Sequence, residues 1–167
     1  WGTWERLEAS PTSRASILSG KALVAYIMQS VQITVVLVLG AAIFGYRPKG
    51  SLVALMVVLL CFSAVLSALG VAIALWSHSR DAALSMSNIV GMLAAGIGGA
   101  FCTVSSFPDW AQHAARLSPA YWANSAINKV SLDGLGFTDI APQIGALLGF
   151  FAAFAALALI KFRYHKE

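Results

Sequence analysis

Apolar residues run without interruption for roughly the width of a bilayer in four stretches of this chain. A hydrocarbon core of about 30 Å takes roughly 20 residues of helix, and charged residues mark the limits. The first stretch covers residues 22–44, between Lys21 and Arg47; the second, residues 52–76, has no ionisable group except Cys61. The third covers residues 83–104, after Ser-His-Ser-Arg-Asp, and passes through Gly91, Gly96, Gly98 and Gly99; the fourth covers residues 144–160. Lengths and boundaries of this kind predict an all-α membrane protein, a bundle of about four transmembrane helices in one domain.

The polar residues fall into three segments with different patterns. Residues 1–20 read as a cytoplasmic segment: a helix capped by Thr3 over Glu5 and Arg6, a break at Ser10-Pro11, and an amphipathic piece starting at Pro11 or Ser13 with Ile17 and Leu18 inward. Glu5 and Glu8 offset Arg6 and Arg14, so the segment suits a protein partner better than an anionic lipid surface. Residues 105–143 are too polar to cross and rich in aromatic side chains, which predicts short interfacial or re-entrant helices. Ser106 caps the first of these, with Pro108 and Asp109 in its opening turn and Trp110, Ala114, Leu117 and Tyr121 at helical spacing. Pro119 interrupts it. Ser118 then caps a second helix carrying Tyr121, Trp122, Ala126, Ile127 and Val130, which Asp133-Gly134-Leu135-Gly136 ends.

Composition agrees with a membrane protein. Of 167 residues, 59% are hydrophobic and 11% charged, against about 45–50% and about 25% in soluble domains. The eleven Lys and Arg and seven Asp and Glu are too few to cover a soluble surface, and disorder is excluded on the same ground. The net charge of +4 is spread between apolar runs instead of forming one basic face, which argues against nucleic acid as a partner. Sorted by loop, Arg6, Arg14, Lys21, Arg80, Lys161, Arg163 and Lys166 fall on one side and Arg47, Lys49, Arg116 and Lys129 on the other. The richer side is the cytoplasmic one, which places both ends of the chain there. The chain starts at Trp1 without a signal pattern, so a fragment or processed piece is expected.

Little in the chain predicts chemistry. His78, His113, His165, Cys61 and Cys102 do not pair at ligand spacing, and no metal is expected. The spans lack ionisable groups for intramembrane catalysis, and no phosphate loop is present. His78, Arg80 and Asp81 form a compact polar cluster in which Arg80 sets orientation and Asp81 complements a helix N-terminus. Tyr26, Gln29 and Gln32 recur every third residue in the first span and face other helices or a water-filled path. Gly91, Ala95 and Gly99 form a small-residue stripe in the third span, as do Ala141, Gly145, Gly149 and Ala153 in the fourth. Such stripes serve packing within the chain or a dimer interface.

Gly2, Thr3, Glu5, Arg6, Leu7, Ser10 and Pro11, followed by Gly20 and Lys21 before a span, spell G-T-x-E-R-L-x-x-S-P…G-K. The pattern resembles the permease subunits of type-2 ABC exporters, a class that includes bacterial drug and antibiotic exporters. Phe107, Pro108 and Trp110, then Ser118, Pro119, Tyr121 and Trp122, resemble the outer helical segment before that family's last span. The resemblance implies a coupling helix around Glu5, Arg6 and Leu7 that docks on a separate ATP-binding subunit, with ATP and magnesium held by that partner and no cofactor bound by this chain. It also implies a second permease copy, identical or not, and a bacterial-type inner membrane. Family permeases usually have six spans with G-T-x-E-R-L after the second, so this chain corresponds to the last four. The outer aromatic residues then serve as a gate or interfacial anchor, Tyr26, Gln29 and Gln32 as pathway lining, and the nearly uncharged spans suit drug-like or lipid-like cargo. A self-contained helical carrier or assembly protein, whose first helix lies on the bilayer surface, is the competing reading.

Overall fold

A backbone amide left without a partner in lipid costs several kcal/mol, so an apolar run that crosses a membrane must satisfy its own hydrogen bonds, and an α-helix does so within one segment. The structure is a computed structural model and describes residues 14–45 and 48–164. Those residues form α1 (Arg14–Phe44), α2 (Leu52–Trp76), α3 (Arg80–Ile97), α4 (Asp109–Ala115), α5 (Pro119–Ser131) and α6 (Ala141–Tyr164), with single 3₁₀ turns at Val104–Ser106 and Thr138–Ile140. The segment holding Gly2, Thr3, Glu5, Arg6, Leu7, Ser10 and Pro11 lies outside the described residues, as do Arg47, His165 and Lys166 and the expected inward placement of the Ile17 and Leu18 side chains.

Among the described residues, three stretches are long and apolar enough to cross a membrane: Ser19–Phe44, Leu52–Trp76 and Thr138–Phe162. Helix α1 runs through Gly20 and Lys21 without a break, so the amphipathic piece and the first span are one rod of 31 residues, about 46 Å at 1.5 Å per residue. Helix α3 is not among the three. Its 18 residues open on Arg80 and Asp81, include Ser85, Ser87 and Asn88, and end at Ile97, seven residues before the expected limit at Val104. The cause is local: Gly98 is its C-cap and Gly99 follows with φ 85°, a conformation that cannot continue a helix.

Helix α2 is the centre of the bundle, with its most extensive contacts to α6, then α1, then α5. Ala54, Leu55, Val58 and Leu59 of α2 pack with Ala123, Ala126 and Val130 of α5, with Ile140, and with Leu147 of α6. Lipid tails are as apolar as these side chains, so transfer from water does not hold such a core together inside a bilayer; close van der Waals packing and interhelical hydrogen bonds do. The small residues of α5 fit that requirement. The sequence assigns α5 to an interfacial segment, and the structure gives one whole face of it to the core.

Hydrogen bonds hold α5 at both ends. At its C-terminal end the Gly50 N–H donates to the Val130 carbonyl (3.0 Å) and the Lys49 N–H to the Ser131 carbonyl (3.1 Å). The helix then closes where the Leu135 N–H reaches the Lys129 carbonyl at 3.2 Å, with Gly134 at φ 68° making the turn. The Gln143 side chain, oriented to suit its neighbours, accepts from Lys129 Nζ at 2.8 Å and donates to the Ile140 carbonyl at 3.3 Å, joining α5 to α6.

At its N-terminal end α5 meets the last turn of α3, where the Gly98 N–H already donates to the Ala94 carbonyl at 2.9 Å and the side chains of α5 add further donors. The Ser118 hydroxyl donates to the Ala94 carbonyl (2.8 Å) while accepting from the Ala120 N–H (3.3 Å), and Asn124 Nδ2 donates to the Gly98 carbonyl (3.0 Å). Asn124→Ala leaves that carbonyl without its donor. The expected loss is about 1–2 kcal/mol, seen as a lower unfolding midpoint in detergent, with Asn124→Gln recovering part of it.

Candidate functional site

Tyr26 comes from the face of α1 that packs on the bundle, a face continued by Gln29, Ile33 and Leu37 at helical spacing. Tyr26 and Gln29 are half-buried and Gln32 is exposed, so the three-residue spacing carries Gln32 off the packed face, because 3.6 residues make a turn. Tyr26 lines a groove of about 610 Å³ between α1, α2 and α6, which also takes in Ala64, Ser67 and Ala68 of α2 and Phe151 and Ala155 of α6. Leu23, Phe151 and Leu159 in its wall are 58%, 40% and 61% exposed, so the groove opens on the flank of the bundle.

The few hydroxyls in this wall are committed or sparse. Ser67 Oγ crosses from α2 to donate to the Ala22 carbonyl of α1 at 3.0 Å, and Ser19 Oγ donates to the Ser16 carbonyl at 3.0 Å. Deeper along α1, Ser30 donates to the Tyr26 carbonyl and Thr34 to the Ser30 carbonyl, both at 2.8 Å. Sequence reasoning passed over Ser67, yet it supplies the cross-helix bond that ties α1 to α2. The available signal was Ser63 and Ser67, four residues apart in an otherwise apolar span; Ser63 is fully buried and bonds its own helix at the Leu59 carbonyl.

Where α2 and α6 end together, Trp76 Nε1 donates to the Leu157 carbonyl at 3.4 Å and Lys161 Nζ lies 5.2 Å from the centroid of the Trp76 ring. An aromatic face attracts an ammonium, more so where water is scarce. These contacts clamp α2 to α6 at the end of the bundle where the groove reaches Phe162.

The aromatic residues of the segment 105–143 are divided. Tyr121 and Trp122 stack edge to face with ring centroids 5.4 Å apart, and Trp122 Nε1 donates to the Arg116 carbonyl at 2.9 Å. Phe107 is half-buried and its carbonyl accepts from Gln112 Nε2 at 2.9 Å. Trp110 is 75% exposed. Helix α4 starts after Pro108, which makes no side-chain cap, and Ser106 is not the cap the sequence suggests: its hydroxyl pairs with Thr103 Oγ1 at 3.0 Å, a local side-chain bond that competes with capping.

The small-residue stripes are also divided. A Cβ added at Gly91, Gly145 or Gly149 meets nothing within 4 Å, so these positions make no close approach within the described chain, whereas at Gly99 it would come within 2.7 Å of Val104 Cγ2. Ala95 is half-buried. His78, Arg80 and Asp81 are all exposed at the turn before α3.

Comparison with known proteins accounts for this architecture. The chain is similar to the linearmycin resistance permease protein LnrN of Bacillus subtilis, 28% identical over 156 residues, which is 93% of this chain and 40% of that protein. It therefore spans about 40% of the length of the curated relative it matches. No solved structure matches it. The model of the ABC-2 family transporter proteins matches residues 2–160, nearly the whole length, and this integral membrane chain belongs to that family.

Proposed function

We propose that this chain is the membrane-crossing part of an ATP-driven exporter permease, moving a lipophilic, drug-like or lipid-like compound out of the cytoplasm. The family match over residues 2–160 carries this reading, and the name of the linearmycin resistance permease it resembles supports a drug-like cargo. The partners are a separate ATP-binding subunit, which holds ATP and magnesium, and a second permease copy. The setting is a bacterial-type inner membrane with both ends of this chain cytoplasmic, and α3 serves as a fourth, shorter crossing.

The mechanism follows from the stiffness of α1. ATP-driven closure of the partner subunits pushes the coupling segment around Glu5, Arg6 and Leu7, which lies directly before α1. A continuous helix with no proline passes that displacement along its axis, and rigid spans tilt between inward-facing and outward-facing states. Tyr26, Gln29 and Gln32 line the path, and Tyr121 and Trp122, with Phe107, Pro108 and Trp110, form its outer gate or anchor. The exposure of Gln32 supports this, because a carboxamide facing lipid tails is unfavourable while one facing water or a second copy is not.

The test is a cysteine placed at Glu8 in the complete parent permease, co-purified with its ATP-binding subunit. The expected result is a specific crosslink and cargo-stimulated ATP hydrolysis. A cysteine that reacts only with lipid-phase reagents, with no partner recovered, would instead favour a self-contained carrier whose first helix lies on the membrane.

A further inference from the structure

Helix α5 ties together the helices around it at one end of the bundle. Its Val130 and Ser131 carbonyls accept from the Gly50 and Lys49 N–H groups just before α2, and Gln143 near the start of α6 accepts from Lys129 Nζ at 2.8 Å. Ala123, Ala126 and Val130 are buried in one cluster with Leu55 and Val58 of α2 and Leu147 of α6. Backbone bonds and close packing leave no soft rotamer to absorb a displacement, so the place of α5 relative to α2 and α6 is fixed.

The same helix holds the C-terminal end of α3. Ser118 Oγ donates to the Ala94 carbonyl and Asn124 Nδ2 to the Gly98 carbonyl, at 2.8 and 3.0 Å. Beside these bonds the two helices touch: a Cβ at Gly98 would lie 2.6 Å from Ala120 Cβ and 2.9 Å from the Tyr121 backbone nitrogen. Gly98 is buried there, whereas none of the 18 residues of α3 is, although α3 also touches α2. Gly99, at φ 85°, then turns the chain out of the helix. The firm attachment of α3 is therefore at its Gly98 end, and only Ser77, His78 and Ser79 separate its other end from α2. A rod held at one end and joined at the other by a short turn has one soft motion, a tilt about the held end.

We propose that the contact between Gly98 and α5 is the pivot of α3, and that Asn124 and Ser118 are positioning residues that keep this end on α5 while the Arg80 end tilts against α2 and α6. The force that drives the tilt is the ATP-driven closure of the proposed exporter, whereas the joint itself does not depend on that reading. Helices α1, α2 and α6 move as one body, since Ser67 ties α2 to the Ala22 carbonyl of α1 and Trp76 ties α2 to Leu157 and Lys161 of α6. Asp81 is 17 residues from Gly98 and Leu93 is 5, so a tilt of the rod moves Asp81 about three times as far.

The test measures distances between pairs of nitroxide labels in the complete parent permease, with its ATP-binding subunit, in nanodiscs. Cys61 and Cys102 are first replaced by alanine, and labelled chains are diluted with unlabelled ones so that distances within one chain are read. One pair joins Asp81 to Leu159 of α6 and the other joins Leu93 to Asn128 of α5, all four positions being exposed. Distances are collected without nucleotide and after trapping with ATP and vanadate, and the two states are pooled for each pair. The pooled Asp81–Leu159 distribution is expected to be at least about twofold wider than that of Leu93–Asn128, the label linkers adding the same width to both. Equal widths, or a wider distribution at the Gly98 end, would overturn the pivot. Asn124→Ala should widen the Leu93–Asn128 distribution toward that of the other pair, with elution volume showing that the fold is intact. An unchanged width together with a lowered unfolding midpoint would make Asn124 a structural residue only and would overturn its place in the joint. ATP hydrolysis in the same samples judges the exporter reading separately, because the comparison of the two pairs needs no turnover.

Discussion

Gly50→Ala is expected to destabilise this protein by on the order of 3 kcal/mol, a large effect for one added methyl group. A Cβ at Gly50 would lie 2.6 Å from the Val130 carbonyl oxygen and 2.9 Å from that of Leu135. Both are backbone atoms, fixed by the closing turn of α5, so neither can rotate away as a side chain would. Relief requires the loop before α2 to withdraw, and that breaks the bonds from Lys49 and Gly50 to Ser131 and Val130. The C-terminal end of α5 then loses its anchor, and Val130 loses its seat against α2. Gly70→Ala is the control, because a Cβ at that site, within α2 and six residues from its end at Trp76, meets nothing within 4 Å. Alanine is about 1 kcal/mol better than glycine in a helix interior, so the same chemical change should raise the unfolding midpoint there. Thermal unfolding of both variants in one detergent checks the pair, and equal midpoints would show that the close approach at Gly50 does not restrain α5.

Glu5→Lys combined with Arg6→Glu is expected to lower cargo-stimulated ATP hydrolysis and transport at least about tenfold while the permease still inserts and folds. Charge pairs at a docking surface set partner and register, and reversing them puts like charges together at a cost of several kcal/mol, far more than tenfold in affinity. The substitutions precede α1 in the sequence, outside the described residues, and a coupling role for them predicts a stability within about 0.5 kcal/mol of the original, as for surface changes away from special contacts. Full transport with normal partner binding would show that the G-T-x-E-R-L segment is not the coupling element. A fall in stability equal to the fall in transport would assign the segment a structural role.

Most of the helical layout was legible from the chain alone. The limits of α2 at Leu52 and Trp76 match the apolar run between its polar neighbours, and α5 begins at Pro119 under the Ser118 cap, as the Ser-Pro pair suggests. These features depend on composition over one segment and on bonds between residues a few positions apart. The same local reasoning failed where a nearer bond intervened, as at Ser106, or where glycine conformation ended a helix early, as after Ile97. It also grouped Tyr26, Gln29 and Gln32 by spacing, although only the first two lie on the packed face. Of the proposed sites, the coupling segment rests on motif resemblance alone, and the groove left no trace in sequence because its walls come from residues more than a hundred positions apart.

Hydropathy along the chain is enough to make this a helical membrane protein and to place its long helices, because lipid forces each apolar run to satisfy its own backbone. The chain also carries the motif that leads to the ABC-2 family. Packing in three dimensions makes α2 the central helix, draws α5 into the bundle, requires glycine at Gly50 while Gly145 and Gly149 face open space, and sets Lys161 over Trp76. In a bilayer nearly every span residue is apolar whichever way it faces, so hydropathy does not mark the packed side. Shape and single hydrogen bonds between distant segments, such as Ser67 to Ala22 and Asn124 to Gly98, choose it instead.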